Sequence, residues 1–436
     1  MLSVAVVSLG CSKNTVDTEL MLYQLSKEYN IINDYSKADI LIVNTCAFIF
    51  DAKEESINTI FELAKYKKNN CKLLVATGCL SQRYAKELLD EIPEIDLLIG
   101  VEQYLNTLQH IKKALAGERF AACERVAFAL QGKRILTTPK HTAYVKIAEG
   151  CNNSCTFCAI PLIRGRYRSV PMEDVLAEMQ SLADKGVKEL ILIAEDTTRY
   201  GIDLYKKPCL PELLDKAAQI KGLKWIRLLY CYPDTMSMEL LDVMSKHDNI
   251  CKYIDIPLQH YDEQVLKAMN RRGTPKDFKH LLTVAKDRGF AIRTTIIVGF
   301  PGETEQQFNA LYNFVNEFKF DRLGAFTYSM EEGTVAAKMP MQIDENIKQN
   351  RLDRLMELQA EISMENNQKH VGTEREVLVE KIGRDGFIHC RSQYEAPDVD
   401  GEILLPINKN VKVGQFYNIK IVRADTYDLY GEWMEV

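Results

Sequence analysis

Apolar and polar residues alternate along the first hundred positions in the order expected for strands and helices. Four short apolar runs predict buried strands, at residues 4–9, 40–44, 73–77 and 95–99. Amphipathic stretches between these runs, such as 18–28 and 54–65, predict helices. Because strand–helix alternation at this spacing is typical of βαβ units, we expect an N-terminal α/β domain with a parallel sheet over residues 1–118.

A second alternating series begins near Thr142. Six apolar runs predict strands, at residues 144–148, 189–194, 225–230, 253–256, 293–298 and 323–328. Helical patterns separate them, and a charged amphipathic helix over 343–367 follows the last strand. Six such units are too few for a complete eight-unit barrel, so we expect a partial (β/α)6 barrel over residues 137–367. The segment 117–141 lacks clear periodicity and is interpreted as a linker.

The last part of the chain changes to short β-rich runs separated by turn residues. Five runs predict strands, at residues 376–381, 386–392, 403–406, 416–422 and 429–434. Runs of this length and spacing are typical of a small closed barrel. We therefore expect an all-β domain over residues 370–436, which makes the chain an α/β multidomain protein with three domains.

Charge and composition narrow the class of protein. The 436 residues include 55 Lys and Arg against 61 Asp and Glu, a formal net charge of −6. Broad binding to nucleic acid needs a basic surface, so this negative net charge argues against it. The charge is compatible with a basic protein partner, or with a local basic groove that the total conceals. The first residues lack the basic flank and cleavage site of a signal peptide, and no apolar run approaches the length of a membrane helix. We therefore expect a cytoplasmic protein without a membrane partner.

The cytosol keeps thiols reduced, so the 12 cysteines are expected to be metal ligands, catalytic groups or small buried hydrophobes rather than disulfides. Cys151, Cys155 and Cys158 form a C-x3-C-x2-C motif directly after a predicted barrel strand. Thiolates are the ligands of iron–sulfur clusters, and three cysteines leave one iron of a [4Fe–4S] cluster open for chemistry. A zinc site is the alternative, but structural zinc usually takes four protein ligands, and no fourth ligand follows nearby.

A second set of cysteines follows three strands of the N-terminal domain. Cys11, Cys46 and Cys79 are separated by 35 and 33 residues (46 − 11 and 79 − 46), which is one βα unit each. Because the carboxyl ends of parallel strands share one edge of a sheet, these thiols predict a second cluster with an open iron, the alternative being three unrelated core cysteines. His260, at a strand end, is either a site residue or a structural histidine. The remaining cysteines share no such placement and are interpreted as structural: Cys71, Cys123, Cys209, Cys231, Cys251 and Cys390.

The C-x3-C-x2-C motif, with Phe157 directly before Cys158, resembles the signature of radical S-adenosylmethionine (SAM) enzymes. Together with the second cysteine set and the all-β tail, the chain resembles the radical-SAM methylthiotransferases along its whole length. Segments 161–169 and 297–304 match that family as well. The resemblance implies an N-terminal cluster domain, a radical-SAM partial barrel and a C-terminal TRAM barrel, with two [4Fe–4S] clusters and SAM as cofactors.

The resemblance also implies roles for the residues. The cluster on Cys151, Cys155 and Cys158 would bind SAM and, after reduction by an electron donor protein, cleave it to a 5′-deoxyadenosyl radical. The cluster on the other three cysteines would hold the sulfur that is inserted, and a second SAM would provide the methyl group. At Glu195 the segment lacks the glycines of the Gly-Gly-Glu-like motif that often binds the SAM amine. Residues of the cluster loop and the strand ends are the expected SAM contacts: Phe157, Ala159, Glu195, Arg227, Gln259 and Arg293.

Two segments, residues 8–17 and 394–401, resemble the branch of the family that modifies a ribosomal protein more than the tRNA-modifying branch. The implied reaction adds a methylthio group to the β-carbon of an aspartate in small-subunit ribosomal protein twelve. Residues 371–436 carry 12 acidic and 8 basic side chains, a net charge of −4, which favours a basic protein over tRNA. A tRNA adenosine methylthiotransferase is the alternative enzyme, and an electron-transfer or cluster-carrier protein is the alternative without catalysis.

Overall fold

The N-terminal domain is a parallel sheet that carries helices on its faces. The computed structural model describes residues 1–126 and 132–434. In the first of these ranges the elements are β1 (Ser3–Ser8), α1 (Ser12–Leu25), β2 (Asn30–Ile31), β3 (Ile40–Thr45), α2 (Phe50–Ala64), β4 (Leu73–Gly78), α3 (Cys79–Arg83), α4 (Ala85–Glu91), β5 (Leu97–Ile99), α5 (Thr107–Leu115) and β6 (Phe120–Ala122). The strands of this range pair in parallel in the order β2-β1-β3-β4-β5-β6.

Burial on both faces of this sheet explains why its strands read as uninterrupted apolar runs. In β3, Ile40 and Ile42 belong to one hydrophobic cluster, whereas Leu41 and Val43 belong to another on the opposite face. The four predicted strands correspond to β1, β3, β4 and β5. The short β2 and β6 produce no such pattern, and β6 lies beyond the predicted domain end at residue 118, so that boundary is too early.

The second domain is a partial barrel of parallel strands, each followed by helical structure. Its elements are β7 (Thr142–Lys146), β8 (Ala148–Glu149), α6 (Ile160–Arg164), β9 (Arg168–Ser169), α7 (Met172–Asp184), β10 (Glu189–Ile193), α8 (Ile202–Tyr205), α9 (Leu210–Ala217), β11 (Trp225–Leu228), α10 (Met238–Lys246), β12 (Tyr253–Asp255), α11 (Glu263–Ala268), α12 (Pro275–Asp287), β13 (Ala291–Val298), α13 (Glu305–Phe318), β14 (Arg322–Thr327) and α14 (Glu345–Gln368). The barrel strands pair as β11-β10-β7 and β12-β13-β14, and a parallel bridge from Ile226 to Ile250 connects the two sheets. This arrangement confirms the predicted fold class.

The tail is a closed barrel that docks on the core. Its strands are β15 (Glu374–Ile382), β16 (Phe387–Arg391), β17 (Ile403–Pro406), β18 (Phe416–Ala424) and β19 (Leu429–Trp433). Among the described residues of the tail they close in the order β15-β16-β17-β19-β18. The Arg391 guanidinium pairs with Glu189 at the start of β10 (2.5 Å), and the Tyr253 hydroxyl donates to Asp400 Oδ2 (2.7 Å). The tail is therefore held against the partial barrel by buried polar contacts.

The predicted linker proves to be partly packed structure. Residues 127–131 of that segment, like the last two residues of the predicted tail domain, lie outside the described residues. Beyond residue 131, Arg134 is buried and pairs with Glu19 (2.7 Å) and with Glu178 (2.9 Å), so this part of the segment bridges α1 and α7. Over the described ranges, 1–126 and 132–434, no helix combines the length and the apolarity needed to cross a bilayer.

Candidate active site

The first group of thiols lies at the carboxyl edge of the N-terminal sheet. Cys11, Cys46 and Cys79 follow β1, β3 and β4, which are neighbours in that sheet. Cys79 is buried, whereas Cys11 and Cys46 are partly exposed. Burial raises the pKa of the Cys79 thiol to about 12, and the nearby thiols of the other two cysteines add to the rise. The strand ends thus bring the three predicted ligands together. We refer to Cys11, Cys46 and Cys79 as the N-terminal triad.

The turns that carry this triad are packed closely on one another. Gly10 has a φ of +85°, and a Cβ atom there would lie 2.9 Å from Cys46 Cβ and 3.3 Å from Cys46 Sγ, so glycine is required. The Asn14 amide donates to the carbonyl oxygens of Leu9 (2.8 Å) and Thr45 (3.0 Å), and its Oδ1 lies 3.9 Å from Cys79 Sγ. Asn14 therefore connects all three cysteine-bearing segments to α1.

The second group of thiols lies on the loop between β8 and α6. Backbone N–H groups of this loop donate to the sulfurs of Cys151 and Cys158, each at 3.5 Å. The Tyr232 hydroxyl lies 3.3 Å from Cys155 Sγ. Burial raises the pKa of Cys151 to about 12. Hydrogen bonds to sulfur are contacts that orient ligating thiolates, so this loop is suited to hold its three thiols as ligands. We refer to Cys151, Cys155 and Cys158 as the core triad.

Glu195 lies between the two triads. It follows β10, and its charge adds to the effect of burial in raising the pKa of Cys79 on one side and of Cys151 and Cys158 on the other. Lys13, at the start of α1, reaches the same place from the N-terminal domain: Nζ is 3.6 Å from Glu195 Oε2. Glu195 and Lys13 therefore lie near thiols of both triads at the boundary between the two domains, and we refer to their surroundings as the compartment.

A buried network of four charged side chains holds the domains in this relation. The Arg164 guanidinium contacts Asp17 on α1 (3.1 Å) and Glu149 on β8 (2.8 Å). Lys146 Nζ contacts Asp17 and, at 2.6 Å, Glu149. The four side chains are at most 3% exposed, and their two positive and two negative charges balance. Arg164 also donates to Asn14 Oδ1 (2.7 Å), which links the network to the N-terminal triad.

Four of the six residues expected to contact SAM lie on the cluster loop or at the carboxyl ends of core strands. Phe157 is half-buried in a small apolar cluster, and Ala159 is buried. Glu195 Oε1 and Gln259 Oε1 are buried acceptors without a hydrogen-bond partner among the described residues. Because an unsatisfied buried acceptor is costly, these two oxygens are suited to accept from a bound ligand.

The two arginines expected to contact SAM are engaged at the tail domain. Arg227 is fully buried, pairs with Glu189 (2.8 Å) and donates to the carbonyl oxygen of Gln393 (2.9 Å). Arg293 pairs with Asp255 (2.9 Å) and lies 3.6 Å from Asp400 of the tail. Both arginines therefore contribute to the interface between the core and the tail, and the expectation that they contact SAM stays a prediction.

His260 and the remaining cysteines occupy structural positions. His260 is fully buried, its Nδ1 accepts from the backbone of Asp262 (2.9 Å), and its Nε2 lies 3.5 Å from Glu303 Oε2. The cysteines outside the triads are buried, except for Cys123, which is partly exposed with its Sγ 3.4 Å from the carbonyl oxygen of Ser81. The interpretation of these residues as structural agrees with their surroundings.

Sequence reasoning did not single out Lys13, Asn14 or Arg164, although all three contact the compartment or its ligand turns. Each lies in a segment that carries the family resemblance, 8–17 or 161–169. The signal was therefore present in the segments, but the pattern alone does not say which side chain of a matching segment reaches the site.

The ligand chemistry of the triads suits iron–sulfur clusters, because each triad offers three cysteine thiols and each thiolate of a cubane cluster binds a different iron atom. In the part of the chain that the structure describes, no group of three or more His, Cys, Asp or Glu side chains is arranged to hold a single metal ion.

Comparison with known proteins gives matches over the whole chain. Residues 3–100 match the Uncharacterized protein family UPF0004, residues 145–315 the Radical SAM superfamily and residues 371–434 the TRAM domain. Among solved structures, the radical SAM methyltransferase TsrM from Kitasatospora setae shares the fold with a TM-score of 0.56 at 13% identity, over 75% of this chain and 74% of TsrM. The cobalamin-dependent radical enzyme OxsB gives a TM-score of 0.54 at 13% identity, over 82% and 56% of the two chains.

Curated relatives are much more similar in sequence. Ribosomal protein uS12 methylthiotransferase RimO of Desulforamulus reducens is 50% identical over 441 residues, covering 99% of both chains. The RimO proteins of Thermoanaerobacter sp. (50% identity, 99% of this chain and 100% of the relative) and Clostridioides difficile (47%, 99% of both) match equally completely. With this identity over its full length, and with both thiol triads in place, the chain belongs to the RimO family of radical-SAM methylthiotransferases.

Proposed function

We propose that this enzyme adds a methylthio group to the β-carbon of an aspartate in ribosomal protein uS12. The observation that carries the proposal is the compartment in which the two triads, contributed by different domains, face each other across Glu195 and Lys13. A reaction that joins a carbon radical to a sulfur atom needs both centres near one substrate atom. A cluster carrier or electron-transfer protein has no need to bring both sets of cysteines close to one pair of charged side chains.

The cofactors are two [4Fe–4S] clusters and SAM. The residues present fit them: each triad offers three thiols, the core triad has N–H donors on its sulfurs, and Glu195 and Gln259 carry free acceptor atoms. We propose that Cys151, Cys155 and Cys158 hold the cluster that binds SAM, and that Cys11, Cys46 and Cys79 hold the cluster that carries the sulfur. When bound, the first cluster and SAM supply a carbon radical able to take hydrogen from an unactivated C–H bond.

The protein's own residues contribute position and shielding. The Tyr232 hydroxyl and the N–H groups of the loop contact the sulfurs of the core triad, so these residues would orient a cluster held there. Glu195 and Gln259 are proposed to accept from the amine or the hydroxyl groups of SAM, with Phe157 and Ala159 beside the cluster. The Arg164 network holds the N-terminal triad at a set distance from the core triad, which is what transfer between two fixed centres requires.

Two observations support uS12 as the proposed partner: the family to which the chain belongs and the charge of the tail domain. The curated relatives act on ribosomal protein uS12 according to their names. The tail carries a net charge of −4, which favours a basic protein as the partner. We propose an electron donor protein as the source of electrons and the cytoplasm as the location. We also propose three domains: one that ends after β6 (Phe120–Ala122), the radical-SAM core over residues 137–367, and the tail over residues 370–436.

Mass spectrometry of the substrate tests the proposal. Reconstituted enzyme is incubated anaerobically with SAM and a chemical reductant, together with either uS12 or bulk tRNA. The expected result is a methylthio mass gain on one aspartate of uS12 and no modified adenosine. Modified tRNA with unmodified uS12 would assign the chain to the alternative substrate, and no SAM cleavage in either reaction would contradict an enzymatic role.

A further inference from the structure

Lys13 is a buried cation whose hydrogen-bonding capacity is unused. It is the second residue of α1 and is 5% exposed. Its ammonium nitrogen lies 3.6 Å from Glu195 Oε2 and 3.6 Å from the centroid of the Tyr230 ring. Both distances are those of electrostatic contacts, since a hydrogen bond between nitrogen and oxygen is about 2.7–3.2 Å long. The Lys13 side chain makes no hydrogen bond to any residue in the ranges 1–126 and 132–434.

The arginines of this region, in contrast, are already paired with carboxylates. Arg164 donates to Asp17, Glu149 and Asn14, and Arg293 contacts Asp255 and Asp400. These ion pairs contribute to the packing of the domains. An ammonium group has three donors, and leaving all of them unpaired inside a protein costs free energy. Lys13 is therefore placed to bind an anionic group that enters the compartment.

The surroundings of Lys13 indicate which anion that is. Lys13 lies two residues from Cys11 of the N-terminal triad, and through Glu195 it adjoins the core triad. The Tyr230 ring closes one side of the ammonium, and the Tyr230 hydroxyl is 3.3 Å from Ser12 Oγ, so the side chain is held in place. A substrate carbon that reacts at both triads must come close to Lys13, which lies near both. In an aspartate the carboxylate is bonded directly to the β-carbon, so an ammonium that binds the carboxylate holds the β-carbon beside it.

We propose that the ammonium of Lys13 binds the side-chain carboxylate of the substrate aspartate and thereby presents its β-carbon to both triads. The inference rests on the proposed function, because it takes the aspartate of uS12 as the substrate. A charge-assisted hydrogen bond in a buried site gives both affinity and direction. It also makes Lys13 a specificity residue, since an asparagine at the same position would offer the ammonium no negative charge and would leave Glu195, at 3.6 Å, as its ion-pair partner.

A carboxylate is also present in SAM, so the experiment separates the two sources. Binding of uS12 with the native aspartate, or with asparagine in its place, is measured on the reconstituted holoenzyme with SAM and without reductant. The dissociation constant of SAM is measured on the same samples. The enzymes compared are the wild type, Lys13→Met, Lys13→Arg, and Lys53→Met as a matched control, because Lys53 belongs to the same domain but pairs with Glu331 (2.8 Å) instead of Glu195.

The expected result is a preference of the wild type for aspartate over asparagine of roughly 10- to 100-fold, the range for a hydrogen bond between charged groups. Lys13→Met reduces this preference to about 3-fold or less, Lys13→Arg retains part of it, and Lys53→Met retains all of it. Iron is counted on every sample, and Lys13→Gln replaces Lys13→Met if the latter loads less iron than the wild type.

Three results would overturn the inference. One is a wild type without preference for aspartate, and another is a Lys13→Met enzyme that keeps the full preference. The third is weaker SAM binding in Lys13→Met with an intact preference, which would assign the ammonium to the carboxylate of SAM. Failure of the proposed function would look different, because the wild type would then form no methylthio product on uS12 whatever its binding preference.

Discussion

Asp17→Asn removes one carboxylate from the buried network that joins α1 to the core, while keeping the shape of the side chain. Asp17 is fully buried and is contacted by Lys146 and by both terminal nitrogens of Arg164, at 3.1 and 3.2 Å. In the variant, Glu149 and Glu195, whose Oε1 lies 3.5 Å from Arg164 Nε, are the carboxylates that remain for Arg164, Lys146 and Lys13, so one positive charge is left without compensation. Breaking one partner of a buried ion pair costs about 3–5 kcal/mol. We expect a loss of this size in the free energy of unfolding.

Thermal unfolding of the holoenzyme measures this loss. For a cooperative unit of 150–250 residues each kcal/mol lowers Tm by about 2–4 °C, so the fall is expected to be about 6–20 °C. The control is Glu28→Gln, which removes a carboxylate from an exposed pair with Lys112 and is expected to cost about 0–1 kcal/mol. Adding Lys146→Met to Asp17→Asn restores the charge balance and is expected to recover part of the loss. A fall in Tm for Asp17→Asn no larger than for Glu28→Gln would refute the reasoning.

Three further variants test other contacts of the site. Gly10→Ala places a Cβ atom 2.9 Å from Cys46 Cβ at a φ of +85°, so iron content is expected to fall from about eight atoms toward four; full loading would contradict the assigned crowding. Cys11→Ala is expected to keep SAM cleavage and lose sulfur insertion, whereas unchanged product formation would exclude this division of roles. Arg391→Met leaves Glu189 and Glu380 without their shared cation, so limited proteolysis between core and tail is expected to become several-fold faster, and an unchanged rate would show that the tail docks by other contacts.

The strands and the grouping of the ligand cysteines could be predicted because both depend on local patterns. Parallel strands place their carboxyl ends at one edge, so cysteines one βα unit apart, such as Cys11 and Cys46, meet without further information. The C-x3-C-x2-C spacing likewise confines Cys151, Cys155 and Cys158 to one loop. These predictions need no knowledge of how the domains pack.

Contacts between domains could not be predicted in this way. Arg164 and Asn14 are 150 positions apart and meet only because α1 docks against the core. Arg227 lies on a barrel strand, as expected of a SAM contact, but hydrophobic periodicity does not reveal that the tail supplies its hydrogen-bond acceptors. The β6 strand was missed for a different reason: it lies at the edge of the sheet and two of its three residues are only partly buried, so no uninterrupted apolar run marks it as it marks β5.

Iron counting combined with product analysis on a single set of samples tests the central claim, that two separate clusters serve one reaction. The wild type, a variant with the N-terminal triad changed to alanine and a variant with the core triad changed to alanine are reconstituted anaerobically. The account predicts about eight irons and methylthio-uS12 for the wild type, and about four irons without product for each variant, with SAM cleavage retained only where Cys151, Cys155 and Cys158 remain. Methylthio-uS12 formed by either variant, or zinc in place of iron in the wild type, would contradict it.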